Sequence, residues 1–345
     1  MRKVLSKNNG SNVALVITTI AAPNKCLKLF SNECKKREID FIVVGDKKSP
    51  AEFDLAHTHY FSFKQQQLLD FSLAKVAPAN HYSRKNIGYL LAMQRGAKII
   101  IETDDDNFPY SSFWNYSNQS RAIANQTGNA GWINIYKAFT KRKIYPRGFP
   151  LDLVDSNLFS FDSLTNKKLH TPIQQGLANI DADVDAVYRM TENRKIKFAN
   201  NVSIALSKNE WCPFNSQNTR WYKEAFMLMY LPATCSSRLT DIWRSFIAQR
   251  ICFENNWSIL FHSPTVYHKR NHHNLLQDFK EEFAGYLNND KIKTGLEKLK
   301  LKGGDKHLSS NMLKCYEWFV QHKLLKEKEI GLLECWIRDV KRLSK

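Results

Sequence analysis

Two kinds of apolar spacing alternate along the first part of the chain. Val13-Ala14-Leu15-Val16-Ile17 and Phe41-Ile42-Val43-Val44 are short apolar runs rich in β-branched residues, closed by Thr18 and Thr19 in one case and Gly45-Asp46 in the other. Such runs predict strands buried on both faces. Cys26 to Lys36 between them predicts a helix. From Arg84 to Gly96 the residues Ile87, Leu90, Leu91 and Met93 recur at helical spacing, with Gly96 as a C-terminal stop. Ile99-Ile100-Ile101 is a third buried run. Strand, helix, strand, helix, strand predicts an α/β fold with a parallel, helix-covered sheet. Ligands of such sheets bind beyond the carboxyl ends of the strands. Thr18, Thr19, Asp46 and Asp104 should therefore converge.

The later pattern is less regular. Trp132 to Tyr136 alternates like a strand, and Tyr145 to Pro150 is a loop pinned by proline and glycine. Ile180 to Asp185 sets Asp181, Asp183 and Asp185 at every second position, on one face if extended. Thr240 to Glu254 predicts a helix, and Trp257 to Phe261 a strand that delivers His262. Two amphipathic helices with basic flanks are expected beyond Leu308, suited to packing on the main domain or a second subunit, or to peripheral membrane contact. The expected division is 1–290 for the main domain and 291–345 for a helical extension.

Composition changes this picture little. The 345 residues are 43% hydrophobic and 24% charged, which is ordinary for a globular protein. No apolar run approaches the roughly 20 residues of a membrane span. Seven cysteines without a CxxC pair point to neither a disulfide framework nor a zinc cage, so a reducing, cytoplasmic setting is expected. The net charge of +18 suits phosphorylated or membrane-surface partners. No nucleic-acid-binding signature accompanies it, so nucleic acid is not an expected partner.

The chemistry concentrates in Glu102-Thr103-Asp104-Asp105-Asp106-Asn107, where a strand delivers three adjacent carboxylates into a turn. Like charges packed side by side are tolerated where solvent or a cation neutralises them. Mg²⁺ and Mn²⁺ favour carboxylate oxygens and complete their shells with substrate phosphates. A solvated acidic loop is the plainer alternative. Arg84 and Lys85 stand at a helix start, where positive charge is disfavoured, and a diphosphate would explain them.

Several long segments together carry a resemblance. YSRKNIGY from Tyr82, ETDDDN, YPRGFP from Tyr145, QQGLANIDADVDAVYR from Gln174, FNSQNTRW from Phe214, LPATCSSRLTDIWRSFIAQRI from Leu231 and LFHSPTVY from Leu260 resemble the STELLO-type glycosyltransferase family. More distantly they are similar to the reversibly glycosylated polypeptides, the UDP-arabinopyranose mutases. The resemblance covers about Val13 to Asn288 and leaves the tail outside. It implies a GT-A type, Rossmann-like fold that binds a nucleotide-diphosphate sugar, UDP-sugar foremost, through Mn²⁺ or Mg²⁺. By that likeness Asp104 and Asp106 hold the metal with His262, and Asp105 faces the donor sugar or ribose. Thr18, Thr19 and Asp46 contact base and ribose, while Arg84, Lys85, Asn86 and Gly88 form the helix that faces the diphosphate. Asp241 is the candidate base for a glycan acceptor, and Asp183 and Asp185 candidate partners of sugar hydroxyls. Arg147 matches the arginine that is glycosylated in the mutases, although guanidinium is a poor nucleophile. The mutases carry two adjacent acids where this chain has Thr240-Asp241. A mutase and a non-catalytic scaffold are the rivals to a transferase. The missing membrane span departs from the Golgi-anchored plant relatives and leads to the expectation of a cytoplasmic protein, peripheral at the inner membrane face.

Overall fold

The computed structural model describes residues 12–128, 131–156, 164–192, 194–271 and 274–344. One large mixed sheet runs through it. From one edge the strands follow as His59–Phe61, Asp40–Val44, Val13–Thr18, Ile99–Thr103, Asn218–Tyr222, Ile173–Ile180, Ile259–His268, Ser203–Ala205, Arg121–Gln126 and Thr165–His170. The first four are mutually parallel and form a Rossmann-like half. Asn218–Tyr222 then runs antiparallel to both neighbours. Asn107–Pro109 adds an antiparallel strand beside the far end of Ile259–His268.

Both faces of the three inner parallel strands are dry, as the unbroken apolar runs require. Val13, Leu15, Ile17, Phe41 and Val43 pack under helix Lys25–Lys36 through Leu27, Phe30 and Cys34. Ala14, Val16, Ile42, Val44 and Ile100 face helix Lys85–Gln94 on the other side. Gly88 permits that approach: a Cβ there would lie 2.5 Å from Val16 Cγ1 and 2.9 Å from Val44 Cγ2. At the centre Glu102 is fully buried, bonded bidentately by Arg244 and also by Tyr89 and Trp221.

The two tail helices, Leu308–Gln321 and Lys328–Leu343, are present and bury Tyr316, Phe319, Leu333, Trp336 and Val340 in the same core that holds the Lys85–Gln94 helix. Polar contacts tie them further in. Asp339 accepts the Ser72 and Leu73 amides, and Glu329 accepts Tyr230 OH and the Ala233 amide. A third helix, Leu275–Glu297, precedes them, so the boundary expected at 290/291 falls inside continuous helix. No described helix is long and apolar enough to cross a membrane.

Two stretches depart from the expected pattern. Gly131–Trp132 makes only a two-residue strand, followed by a 3₁₀ turn at Ile135–Ala138. The strand Ile173–Ile180 stops at Ile180, whose φ of 74° is unusual for a β-branched residue. Asp181, Asp183 and Asp185 therefore share no strand face.

Candidate active site

At the carboxyl ends of the parallel strands lies a cleft of about 520 Å³. Thr18, Thr19, Asp46, Asp104, Asp105, Asp106, Arg147, Asp183 and Asp241 all line it, as does the edge of Arg84. The acid turn follows the buried strand Ile99–Thr103, and each carboxylate is tethered to a different element. Lys85 Nζ donates to Asp104 Oδ1 at 2.8 Å, joined by Tyr82 OH at 2.7 Å. Thr19 donates its hydroxyl to Asp105 Oδ2. His268 Nε2 lies 3.1 Å from Asp106 Oδ2. Burial, resisted by Lys85, raises Asp104; burial lifts Asp105 to about 6 despite the Thr19 bond, with Asp106 and Asp104 adding repulsion.

A hydrogen-bonded chain leads from this turn across the cleft. Tyr82 OH meets Ser216 Oγ at 2.6 Å, and Ser216 approaches Asp241 Oδ2 through its amide and hydroxyl at 3.2 and 3.3 Å. Arg147 grips both oxygens of Asp241, at 3.0 and 2.9 Å, and turns Nε to Asp183 Oδ1 at 2.9 Å. Asn215 takes Asp183 Oδ2 at 2.7 Å. Burial alone would raise Asp183, but the Arg147 charge holds it at about 2.

Several expected roles are corrected by these positions. His262 lies outside the cleft lining: its Nδ1 bonds the Ser263 carbonyl and its Nε2 meets Arg220, while burial and then the Arg220 charge hold it at about 3. The strand runs six residues further, past an irregularity between His262 and Val266, and presents His268 instead. Arg84 is buried and spends its nitrogens on Gln66 and the Ala77 and Pro78 carbonyls, bracing the loop that carries His81. Lys85 is the internal counter-ion of Asp104. Asn86 exchanges two hydrogen bonds with the Leu231 backbone, and Gly88 is a packing position; neither lines the cleft. Asp185 caps helix Ala186–Thr191 beneath the cleft, accepting the Tyr188 amide at 2.8 Å. Asp46 lines the cleft, yet both its oxygens accept backbone amides, from Lys47 and His81. Both Asp241 oxygens are engaged by the Arg147 guanidinium, and every Arg147 nitrogen has a partner.

Among the described residues no three His, Cys, Asp or Glu side chains converge into a ready-made metal cage. The donors do fit a cation whose shell is finished by phosphate oxygens. Asp104 Oδ2 and Asp105 Oδ1 have no hydrogen-bond partner among the described residues, and His268 Nδ1 rests 2.8 Å from the Asp181 carbonyl. That second bond orients Nε2 toward Asp106, as outer-shell partners orient ligating histidines. Burial lowers the His268 pKa, but the Asp106 bond outweighs it and raises the group overall.

A family model for STELLO glycosyltransferases matches residues 238–345. The chain is also 28% identical over 251 residues to "Probable glycosyltransferase STELLO2" of Arabidopsis thaliana, covering 66% of this chain and 32% of that protein. It is 27% identical over 278 residues to "Probable glycosyltransferase STELLO1" of the same plant, covering 73% and 35%. These matches make the chain similar to the STELLO glycosyltransferases. It spans about a third of the length of these relatives. The STELLO match runs through both C-terminal helices, which corrects the expectation that the tail lies outside the resemblance. Arg238, Asp241, His268 and Arg270 all fall within the matched STELLO segment. Sequence inspection missed Tyr82, Ser216, Arg189 and Arg238, although each stands in a segment that resembled the STELLO family; His268 follows the last such segment by one residue.

Proposed function

We propose that the cleft is the donor site of a metal-dependent glycosyltransferase of GT-A type, which moves a sugar from a nucleotide-diphosphate donor, UDP-sugar foremost, to an acceptor hydroxyl. The observation that carries this is the acid turn at the strand end, joined by one hydrogen-bonded chain to Asp241, Arg147 and Asp183. Asp104, Asp106 and His268 would hold Mn²⁺ or Mg²⁺, and the bound cation supplies charge neutralisation for the departing diphosphate. Thr18 and Thr19 close the nucleotide end, and Asp46 shapes it through its backbone bonds. Asp105, with one oxygen open, faces the donor. Arg147 holds Asp183 against the saturated Asp241 carboxylate, so that the remaining lone pairs of Asp183 can orient sugar hydroxyls.

Thermal shift over a panel of nucleotide-diphosphate sugars, with and without Mn²⁺, tests the reading, because a ligand that binds only the native state raises its stability. One donor should stabilise the protein in a metal-dependent way, and Asp106→Asn should abolish that shift while melting normally alone. No stabilisation by any donor would overturn it. A mutase would convert the selected donor into an isomer without an acceptor, which product analysis separates from release of nucleoside diphosphate.

A further inference from the structure

Beyond the Asp106–His268 pair the cleft wall is built from three guanidinium groups. Arg189 comes from the short helix Ala186–Thr191, Arg238 from the turn before Thr240, and Arg270 from just past the His268 strand; all three line the cleft. Their counter-charges stand behind them. Asp278 and Glu282, one turn apart on helix Leu275–Glu297, are nearly inaccessible and are not part of the lining. Glu282 Oε1 accepts Arg238 Nε and NH2 at 2.8 and 2.5 Å, and Asp278 Oδ2 accepts Arg270 NH2 at 2.5 Å.

Each arginine is thus anchored by one edge. Among the described residues NH1 of Arg238 and the Nε and NH1 of Arg270 have no hydrogen-bond partner. Arg189 gives NH2 to the Ala182 carbonyl at 2.7 Å, keeps NH1 4.0 Å from Asp181, and has a buried Nε with no partner. Burial and then the Arg270 charge pull Arg189 down to about 10; burial and then Arg238 lower Arg270. Three mutually repelling cations, two fixed from behind by carboxylates and Arg189 by a backbone carbonyl, form a preset fork for an anion. The corner belongs to the second half of the sheet, whereas Thr18 and Thr19 follow a strand of the first.

We propose that Arg189, Arg238 and Arg270 form an acceptor subsite for an anionic group, a phosphate or a carboxylate, so that the protein glycosylates acidic acceptors. This rests on the donor reading above. The test is calorimetric titration of the full chain, saturated with Mg²⁺ and the nucleoside diphosphate selected in the donor screen, at constant ionic strength. Inorganic phosphate, glucose 6-phosphate, glucuronate and glucose are the probes. The charged probes should bind and glucose should not, and the ratio of the two sugar acids separates phosphate from carboxylate. Arg270→Gln and Arg189→Gln should each weaken the charged probes at least about tenfold, the worth of one charge-assisted hydrogen bond, with nucleotide affinity unchanged. Arg270→Gln paired with Asp278→Asn removes both members of that ion pair together and should behave alike, which guards against misfolding. Displacement of phosphate by the nucleotide, or indifference to these substitutions, overturns the subsite. Should no nucleotide bind, the donor reading fails separately, and the phosphate titration without nucleotide still decides the corner.

Discussion

Arg147 shows how much a single side chain organises here. It is the counter-ion of two buried carboxylates from separate parts of the chain, Asp183 and Asp241. Arg147→Ala would strand both and should destabilise the fold by about 3–5 kcal/mol, read by urea denaturation. Arg147→Lys restores charge without the bidentate fork, so it should recover stability only in part. Asp185 offers a contrasting test. Burial raises its pKa from 3.8 to about 6, and its Oδ2 is buried without a partner. The folded chain therefore holds this proton more tightly than the unfolded chain, and the residue's contribution to stability falls as pH rises through 3.8 to about 6. Asp185→Asn, which keeps the cap, should improve relative to the parent by up to about 3 kcal/mol between pH 4 and pH 7. At this scale the acid turn was conspicuous as three carboxylates at a strand end and Asp183 as one of three alternating acids, whereas Arg147 and Asp241 stood out through the family likeness. The sequence misplaced the histidine, since the irregularity in the strand is set by pairing with Ile173–Ile180, far off in the chain.

The elements most legible in the sequence are those whose burial follows a local period: the three parallel strands, the helices flanking them, and Thr240–Glu254. Those that misled have their ends fixed from outside. Trp132 alternates like a strand because it packs on Trp211 and Phe246, and Asp183 leaves the sheet because Arg147 pulls it into the cleft. The tight contact of helix Lys85–Gln94 on the sheet is a testable element-scale feature. Gly88→Ala inserts a methyl against Val16 and Val44. Overpacking costs about 1–3 kcal/mol, offset by about 1 kcal/mol of helix propensity. The melting temperature should fall, and nucleotide binding should weaken more than stability, because both valines lie on strands that end at the cleft.

Across the whole molecule, the C-terminal helices and the cleft share one core. Asp339 holds the start of helix Ser72–Val76, whose end bonds into the Arg84 brace, and Glu329 holds the segment that leads to Arg238. Their amphipathic stripe was visible in the sequence, but not its partner, because amphipathicity states only that a face is covered. The tethering of the acid turn has a further consequence. Asp104, Asp105 and Asp106 are each moored to a neighbour of their own, on a helix, a strand end and a second strand. The loop is therefore already shaped before any cation arrives. If the cleft takes its donor through a cation as proposed, stripping divalent ions with a chelator should leave the melting curve where it was while silencing donor uptake, and adding Mn²⁺ should restore it.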